Sequence, residues 1–330
     1  MKQYHDKVSI LIPARNEQDN ILNLLLSIQQ QDYQNYEVIV LDDNSIDNTF
    51  ALCQDFAADN PNFSVIKGKA LPPDWLGKNY ACYQLAKKAT GAYLLFLDAD
   101  DQVSLGLINS AVHRMHLKNL ALLSLFTNQE MKSAGEQMVV PLMHYLLLSL
   151  LPLQLVYLIK SRAVAAASGQ FMLFSAVQYH QHQWHREVKL KVVEDVEIMR
   201  QVKENGYNGE TLLANNLITC RAYTGYFDAI NGFSRDLLAA FNYNVLSLLV
   251  YLVILLGGPL IILSTLNAQL IALMLSLTML SRVMISLSAG QSPLKNVLLH
   301  PVQMFNFMVM AFVSIQRYLT KTTVWKGRRV

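Results

Sequence analysis

The chain has 330 residues, enough for one or two domains, and a formal net charge of +3 with a sequence pI of about 8.6. This charge is mild and no basic patch interleaved with aromatic residues is visible, so we expect no nucleic-acid partner. Hydrophobic residues make up 52% of the chain and the mean hydropathy is +0.24, which is high for a purely soluble protein and predicts membrane segments.

The cysteines and the N-terminus fit a chain that begins in the cytoplasm. Cys53, Cys82 and Cys220 are far apart and form no CxxC pair, so they indicate neither a disulfide framework nor a zinc site. The first apolar run, Val8 to Ile12, ends at a proline and is too short for a signal peptide or a membrane span.

Short β-rich runs alternate with helical patterns from residue 8 to residue 97. In chain order they are VSILI, NEQDNILNLLLSIQQQ, YEVIVLDD, DNTFALCQDFAA, FSVIK, NYACYQLAKKA and AYLLFLD. This alternation is typical of βαβ units on a parallel sheet. Val38 to Leu41 and Leu94 to Leu97 are continuously apolar, as parallel strands covered on both faces should be. The predicted fold class is therefore α/β.

Polar clusters follow three of the predicted strands, at residues 13–17 (PARNE), 42–45 (DDNS) and 98–101 (DADD). Ligands of parallel α/β sheets bind beyond the carboxyl ends of the strands, so we expect the clusters to converge on one edge. Carboxylates as close as Asp98 and Asp100 repel one another unless water or a cation surrounds them. Mg²⁺ and Mn²⁺ prefer oxygen ligands, so the third cluster indicates either a cation held together with a nucleotide or a solvated Asp-rich turn.

A second acidic pair, Glu194 and Asp195, opens a helical pattern at residues 191–207 (KVVEDVEIMRQVKENGY). Val193 and Met199 share one face of this helix, so both acids fall in its first turn. The helix macrodipole favours negative charge there. On this segment alone, the pair is either an ordinary helix start or part of a functional site.

The C-terminal third is strongly apolar. Val245 to Ser264 and Ala268 to Leu287 are each about 20 residues long, the length of a membrane-crossing helix. A third stretch, Val297 to Tyr318, contains polar residues and precedes the basic tail KTTVWKGRR at residues 321–329. Cationic ends prefer the cytoplasm, which favours an even number of crossings and a third stretch that is non-spanning or re-entrant. Arg282 lies inside the second span, and three alternatives are open for it: its side chain snorkels to the membrane surface, it pairs with another helix, or it contacts an anionic lipid.

The segments ILIPARNE, VIVLDDNSIDNT, LLFLDADD and VVEDVEI, in this order and spacing, resemble the family-2 inverting glycosyltransferases of the GT-A fold. The segments LPPDWLGKNYACYQLA, GQFMLF, GFSRDLLAAF and VWKGR resemble the membrane-bound branch that contains carotenoid glycosyltransferases of the diaponeurosporenoate type and hopene-associated glycosyltransferases. The resemblance implies a Rossmann-like GT-A catalytic domain over residues 1–240. A membrane domain with two or three hydrophobic helices and a basic tail follows over residues 241–330.

The resemblance also implies a role for each matching residue. Asp98 and Asp100 match the metal-binding DxD motif and Asp195 matches the catalytic base, with Glu194 supporting either Asp195 or the helix terminus. The residues implied in donor binding are Pro13, Arg15, Glu17, Asp42, Asp43, Lys78, Asp98, Gly169 and Gln170. The implied cofactor is Mg²⁺ or Mn²⁺ and the implied donor is a UDP-sugar. We expect Asp101 to be solvated beside this site.

The same assignment constrains the apolar run from Leu142 to Ile159. A single membrane crossing there would separate Asp100 from Asp195, which must share one compartment. We therefore predict an interfacial or re-entrant segment, broken near Pro152 and close to the bilayer.

The implied function is the transfer of a single sugar, with glucose expected, from a nucleotide-diphosphate sugar to a membrane lipid such as an apocarotenoid acid or another terpenoid. The QxxRW motif of processive synthases is absent from residues 220–236 (CRAYTGYFDAINGFSRD), which favours one transfer over polymerisation. A polyprenyl-phosphate glycosyltransferase, another glycolipid synthase and an inactive membrane scaffold stay open as alternatives. We expect the inner (cytoplasmic) cell membrane as location, with the catalytic domain facing the cytoplasm.

Overall fold

The computed structural model describes residues 4–322, 324–325 and 328–329. The chain forms two compact units, of which the first comprises residues 1–128 and 152–220 and the second residues 129–151 and 221–330. The predicted division at residue 240 separates a catalytic part from a membrane part. It does not follow these compact units and stays a prediction.

The strands, in chain order, are β1 (Val8–Ala14), β2 (Tyr36–Asp42), β3 (Phe63–Lys67), β4 (Tyr93–Leu97), β5 (Asp101–Val103), β6 (Leu122–Phe126), β7 (Asn128–Gln129), β8 (Phe171–Ser175), β9 (Gly209–Leu213), β10 (Ile218–Cys220), β11 (Val324–Trp325) and β12 (Arg328–Arg329). Seven of them form a mixed sheet in the order β3-β2-β1-β4-β8-β6-β9. Strands β1 to β4 run parallel, whereas β8 is antiparallel to both β4 and β6.

The helices, in chain order, are α1 (Ile21–Gln29), α2 (Thr49–Ala58), α3 (Gly77–Ala86), α4 (Leu107–Lys118), α5 (Ala134–Gln137), α6 (Pro141–Leu150), α7 (Gln154–Leu158), α8 (Ala176–His182), α9 (Trp184–Glu187), α10 (Glu194–Glu204), α11 (Tyr226–Ala240), α12 (Val245–Leu252), α13 (Gly258–Ser264), α14 (Ala268–Ser288), α15 (Pro293–Leu298) and α16 (His300–Thr320). Strands and helices alternate from β1 to β4, as the hydrophobic pattern predicts. Strand β4 is buried on both faces, since its successive residues Leu94 to Leu97 are at most 3% exposed, which agrees with its continuously apolar sequence.

The register of the sheet brings the three polar clusters to one edge. Ala14 at the end of β1 lies opposite Asp42 at the end of β2, and the amide of Asp43 donates to the carbonyl of Ala14 at 2.8 Å. Leu11 lies opposite Phe96 of β4 on the other side, so that β4 ends at the same edge. The predicted convergence of the clusters is confirmed.

The apolar run after residue 141 is broken where the sequence predicts a break. Helix α6 ends at Leu150 and α7 begins at Gln154, on either side of Pro152. In the first unit, the buried ammonium of Lys203 donates to the carbonyls of Val156 and Ile159 at 2.5 and 2.6 Å. These bonds give partners to carbonyl groups at the C-terminal end of α7 that have none within the helix. The position of this segment relative to a membrane stays a prediction.

Two helical segments of the second unit have the length and apolar composition of membrane spans. They are Val245–Ser264, which contains a π-helical turn at Val253–Gly257, and Ala268–Ser288, and both are mostly exposed. Arg282 on the second is 2% exposed, so the snorkelling alternative is wrong. Its Nε donates to His300 Nδ1 at 2.7 Å, so Arg282 pairs with another helix as the second alternative predicted.

Helix α16 is packed into the second unit by polar as well as apolar contacts. The amides of Gln303 and Asn306, both at most 2% exposed, donate to the carbonyls of Gln137 and Met138 at 3.0 and 2.9 Å. Helix α16 is continuous from His300 to Thr320, and the non-spanning and re-entrant alternatives for this stretch both stay predictions. Part of the basic tail, residues 323, 326 and 327, lies outside the described residues.

Glu37 connects neighbouring segments of the chain at the opposite edge of the sheet, where the strands begin. Its carboxylate accepts hydrogen bonds from the Ser9 hydroxyl at 2.5 Å, the Lys7 ammonium at 2.9 Å and the Thr90 amide at 2.9 Å. Burial alone would raise the pKa of Glu37, but these hydrogen bonds lower it to about 2.

We expect the Glu37→Gln variant to lose part of the acid sensitivity of folding. The pKa of Glu37 is about 2 in the folded chain against an ordinary value of 4.5. Its stabilising contribution is therefore complete above pH 4.5 and is lost as the pH falls towards 2. Denaturant unfolding in detergent across this pH window measures the effect. The free energy of unfolding should fall less steeply for the variant than for the wild type, whereas Glu187→Gln, at an exposed glutamate, should keep the wild-type slope.

Candidate active site

The ammonium of Lys78 connects the two acidic segments that the sequence singled out. It lies 2.8 and 3.0 Å from the two carboxylate oxygens of Asp98 and 3.5 Å from Oε1 of Glu194, and it donates to the carbonyl of Gly169 at 3.2 Å. Burial alone would lower the pKa of Lys78, but the carboxylates of Asp98 and Glu194 raise it well above the ordinary value. Lys78 therefore remains a cation between two carboxylates.

Asp195 is held in place by two backbone donors. Its Oδ2 accepts from the amide of Gly169 at 2.8 Å and its Oδ1 from the amide of Val196 at 2.7 Å, in the first turn of α10. Burial, followed by the neighbouring carboxylate of Glu194, raises the pKa of Asp195 to about 7. A carboxyl group with a pKa near neutrality is suited to accept a proton in a reaction.

Gly169 leaves the space in which these groups meet. A Cβ atom at this position would lie 3.1 Å from both Glu194 Oε1 and Lys78 Nζ, and 3.6 Å from Asp195 Oδ2. The first two separations are tighter than ordinary contacts, so a side chain here would displace the lysine or the glutamate. The next residue, Gln170, also contacts the DxD segment: its backbone carbonyl accepts a hydrogen bond from the amide of Asp98 at 3.1 Å.

The remaining predicted donor-binding residues line the same edge of the sheet. The guanidinium of Arg15 donates to the carbonyls of Asp43 and Asn44 at 2.6 and 3.0 Å, which ties the end of β1 to the end of β2. Asp42 and Asp43 are 5% and 6% exposed. Pro13 lies within β1, and Glu17 lies close enough to Asp100 to raise the pKa of that carboxyl. The side chain of Gln170 accepts from the hydroxyl of Thr127 at 2.7 Å.

Asp101 differs from the sequence-based expectation. It is 1% exposed, so the expectation that it is solvated is wrong. The reason is that β5 begins at Asp101 and pairs with β10, which turns this side chain towards the interior, opposite Cys220. Both carboxylate oxygens of Asp101 are buried without a hydrogen-bond partner in the part of the chain that the structure describes.

Asp100, Asp101 and Cys220 form a cluster that the sequence did not reveal. One potential ligand atom from each lies within 4.8 Å of the other two, and the Cys220 thiol donates to Asp100 Oδ2 at 3.5 Å. Burial, followed by the charges of Asp98 and Glu17, raises the pKa of Asp100 to about 6. Cys220 is 120 residues away in sequence and carries no motif. Only strand pairing could have identified it.

The side chains at the end of β4 fit a divalent cation. Asp98, Asp100 and Asp101 supply carboxylate oxygens, the ligands that Mg²⁺ and Mn²⁺ prefer. A buried carboxylate without a partner, such as Asp101, requires either a nearby cation or a proton. In the structure Asp98 itself contacts Lys78, whereas Asp100 and Asp101 face the interior cluster with Cys220.

His185 is buried in the first unit among aromatic side chains. Its ring is 2% exposed, its Nδ1 lies 2.7 Å from the hydroxyl of Tyr179, and its ring centroid is 4.7 Å from that of Phe96. Burial, followed by the charge of Lys78, lowers the pKa of His185 to about 3. A neutral histidine here packs against Phe96 and adds no second positive charge near Lys78.

Solved structures of known proteins share the fold of this chain. The structure is similar to a mannosyltransferase, PcManGT from Pyrobaculum calidifontis in complex with GDP-Man and Mn²⁺, with a TM-score of 0.59 and 17% identity over 97% of this chain and 88% of that one. It is also similar to Staphylococcus aureus TarS 1-349 in complex with UDP, with a TM-score of 0.50 and 17% identity over 97% and 95% of the two chains. The predicted GT-A α/β fold, with C-terminal helices that have the composition of membrane spans, is confirmed.

Sequence relatives cover a shorter segment. The 4,4'-diaponeurosporenoate glycosyltransferases of Staphylococcus haemolyticus (strain JCSC1435) and Staphylococcus aureus (strain MRSA252) are 36% and 38% identical over 97 residues, or 29% of this chain. The chain spans about a quarter of the length of these curated relatives, 25% and 24% respectively. The model of the family described as glycosyl transferase family 2 matches residues 9–174, half of the chain. This chain therefore belongs to glycosyl transferase family 2, as its motifs predicted.

Proposed function

We propose that this protein is an inverting, metal-dependent glycosyltransferase that moves one sugar from a nucleotide-diphosphate sugar to a membrane lipid. The observation that carries this proposal is the contact of Lys78 with both Asp98 and Glu194, because it joins the DxD segment to the helix of Asp195 in one site. A positive charge and a fixed carboxylate in one site suit a reaction in which a diphosphate leaves as a hydroxyl attacks.

The donor is proposed to be UDP-glucose, bound at the edge formed by β1, β2 and β4. Two structures of the same fold support a nucleotide donor, since PcManGT is in complex with GDP-Man and Mn²⁺ and TarS with UDP. Pro13, Arg15, Glu17, Asp42 and Asp43 are proposed to bind the base and ribose. The side chains and backbone proposed to contact the sugar and diphosphate are Lys78, Asp98, Gly169 and Gln170.

Asp98 and Asp100 are proposed to hold Mg²⁺ or Mn²⁺. When bound, the cation supplies positive charge that neutralises the developing charge of the leaving diphosphate. Lys78 adds a fixed positive charge to the same side of the site, and its contacts with Asp98 and Gly169 determine its position.

Asp195 is proposed to act as the general base, with Glu194 as its support. As the acceptor oxygen bonds to the anomeric carbon, the bond from that carbon to the diphosphate oxygen breaks and the hydroxyl proton passes to the Asp195 carboxylate. The hydrogen bonds from the amides of Gly169 and Val196 fix the direction in which Asp195 presents its oxygens. Attack on the face opposite the leaving group inverts the anomeric configuration.

The acceptor is proposed to be an apocarotenoid acid or another terpenoid in the inner (cytoplasmic) membrane, with the catalytic part, residues 1–240, facing the cytoplasm and residues 241–330 forming the membrane domain. The name of the sequence relatives supports an apocarotenoid acid, and the two candidate spans support membrane association. An acid acceptor is already ionised at neutral pH, so with it Asp195 would orient the acceptor rather than remove a proton.

With a hydroxyl acceptor, we expect Asp195→Asn to lower sugar transfer by about 10²–10⁴-fold, because an amide cannot take the proton. The measurement uses membranes that contain the full-length protein, labelled UDP-glucose, Mn²⁺ and a bacterial lipid extract. Label entering organic-soluble lipid reports transfer, and mass analysis of the product identifies the acceptor.

The matched control is Glu197→Gln, which removes another carboxylate from the first turn of the same helix. This variant should transfer label at nearly the wild-type rate. Donor binding should survive in Asp195→Asn, because the variant keeps Lys78 and the DxD segment. Full transfer by Asp195→Asn would contradict the proposed role of the carboxylate.

The pH dependence of transfer provides a further prediction. Asp195 accepts a proton only when it is ionised, and burial with the charge of Glu194 raises its pKa to about 7. With a hydroxyl acceptor, kcat/KM should therefore rise as the pH increases through about 7. Glu194→Gln removes the neighbouring negative charge, so the midpoint of the profile should move to lower pH. An unchanged midpoint in Glu194→Gln would show that another group controls the profile.

A further inference from the structure

We propose that Asp101 and Cys220 bind the divalent cation together with Asp100, so that the cation site has a mixed oxygen and sulfur donor set. This inference deepens the proposed function and rests on it, because it concerns the cation that the donor diphosphate requires. It adds to the DxD pair one residue from β5 and one from β10, and it predicts which cations the site prefers.

The pairing of two short strands brings these side chains together. Strands β5 and β10 are antiparallel, and Asp101 lies directly opposite Cys220. Directly opposed residues carry their side chains on the same face of the pair, with Cβ atoms about 4.5–5.5 Å apart. That face is buried, since Val103 and Ile218 are 6% and 0% exposed, whereas Gln102 on the other face is exposed. Asp101 and Cys220 therefore both point towards the interior.

The separations suit ligands of one ion. One ligand atom of each of Asp100, Asp101 and Cys220 lies within 4.8 Å of the other two, and Cys220 Sγ lies 3.5 Å from Asp100 Oδ2. Ligand atoms about 2.0–2.6 Å from a common ion are separated by about 3–4 Å. A small movement of the side chains is enough to bring the three atoms around one cation.

Asp101 provides the independent observation that points to a ligand. It is 1% exposed, and neither of its carboxylate oxygens has a hydrogen-bond partner among the residues that the structure describes. Burying an unpaired carboxylate is strongly unfavourable. Lys78, whose charge acts on Asp101, is already in contact with Asp98 and Glu194. A divalent cation inside the cluster would satisfy both oxygens of Asp101.

The sulfur ligand predicts the order of cation preference. A thiolate binds Cd²⁺, Co²⁺ and, more weakly, Mn²⁺ in preference to Mg²⁺, which favours sites made only of oxygen. Cys220 binds as the thiolate and releases its proton to solvent on coordination. We therefore expect this site to bind Cd²⁺ and Co²⁺ more tightly than Mg²⁺.

The test measures metal binding, not turnover. Full-length protein in detergent, with UDP present, is titrated with Co²⁺ and Cd²⁺ while the near-ultraviolet charge-transfer absorption of a metal-bound thiolate is recorded. Bound Mn²⁺ is measured separately by electron paramagnetic resonance. The variants are Cys220→Ser and Asp101→Asn, and the matched control is Cys53→Ser, at a buried cysteine on α2 that is not part of the cluster.

The wild type and Cys53→Ser should show the thiolate band, whereas Cys220→Ser should lack it and bind Cd²⁺ at least about tenfold more weakly, with little change for Mg²⁺. Asp101→Asn should keep the band and bind Mn²⁺ at least about tenfold more weakly. Thermal unfolding without metal establishes that each variant is folded.

Two results would overturn the inference, and they are distinguishable. Mn²⁺ binding by the wild type without a thiolate band, and with unchanged affinities in Cys220→Ser and Asp101→Asn, would overturn the mixed donor set and leave the proposed function standing. No binding of any divalent cation to the wild type in the presence of UDP would overturn the proposed metal dependence as well.

Discussion

The repulsion among carboxylates at one edge of a buried sheet is the constraint on which the site depends. Asp98, Asp100 and Asp101 follow a single strand, and Glu194 and Asp195 approach from a helix that begins more than ninety residues later. Such a concentration of carboxylates is stable only where positive charge or protons offset the repulsion. Lys78 supplies part of the positive charge, and it does so by touching both segments.

The contacts of Lys78 explain how the DxD segment and the start of α10 are held close together. Its bonds to Asp98 and to the carbonyl of Gly169 join α3 to the end of β4 and to the segment just before β8, and its contact with Glu194 joins it to α10. Asp195 is then directed by backbone amides, which cannot change protonation. These contacts come from the chain's own residues, and a bound cation would add positive charge beside them.

Buried polar groups in the second unit pair between packed helices. Arg282, Gln303 and Asn306 are buried with partners on neighbouring helices. Hydrogen bonds of this kind define the packing of helices whose apolar side chains alone would permit several arrangements. They hold α14 and α16 within one unit while the outward faces of the two candidate spans remain apolar.

Local patterns in the sequence determined the α/β class, the convergence of the three clusters, the start of α10 and the break near Pro152. Each of these depends on hydrophobic period, turn residues or a proline within a few positions. The tertiary structure alone decided that Asp101 is buried, that Cys220 faces it and that Arg282 contacts His300. These features arise from strand pairing and helix packing between residues far apart in the chain, and the free energy of such pairing is not encoded in any local pattern.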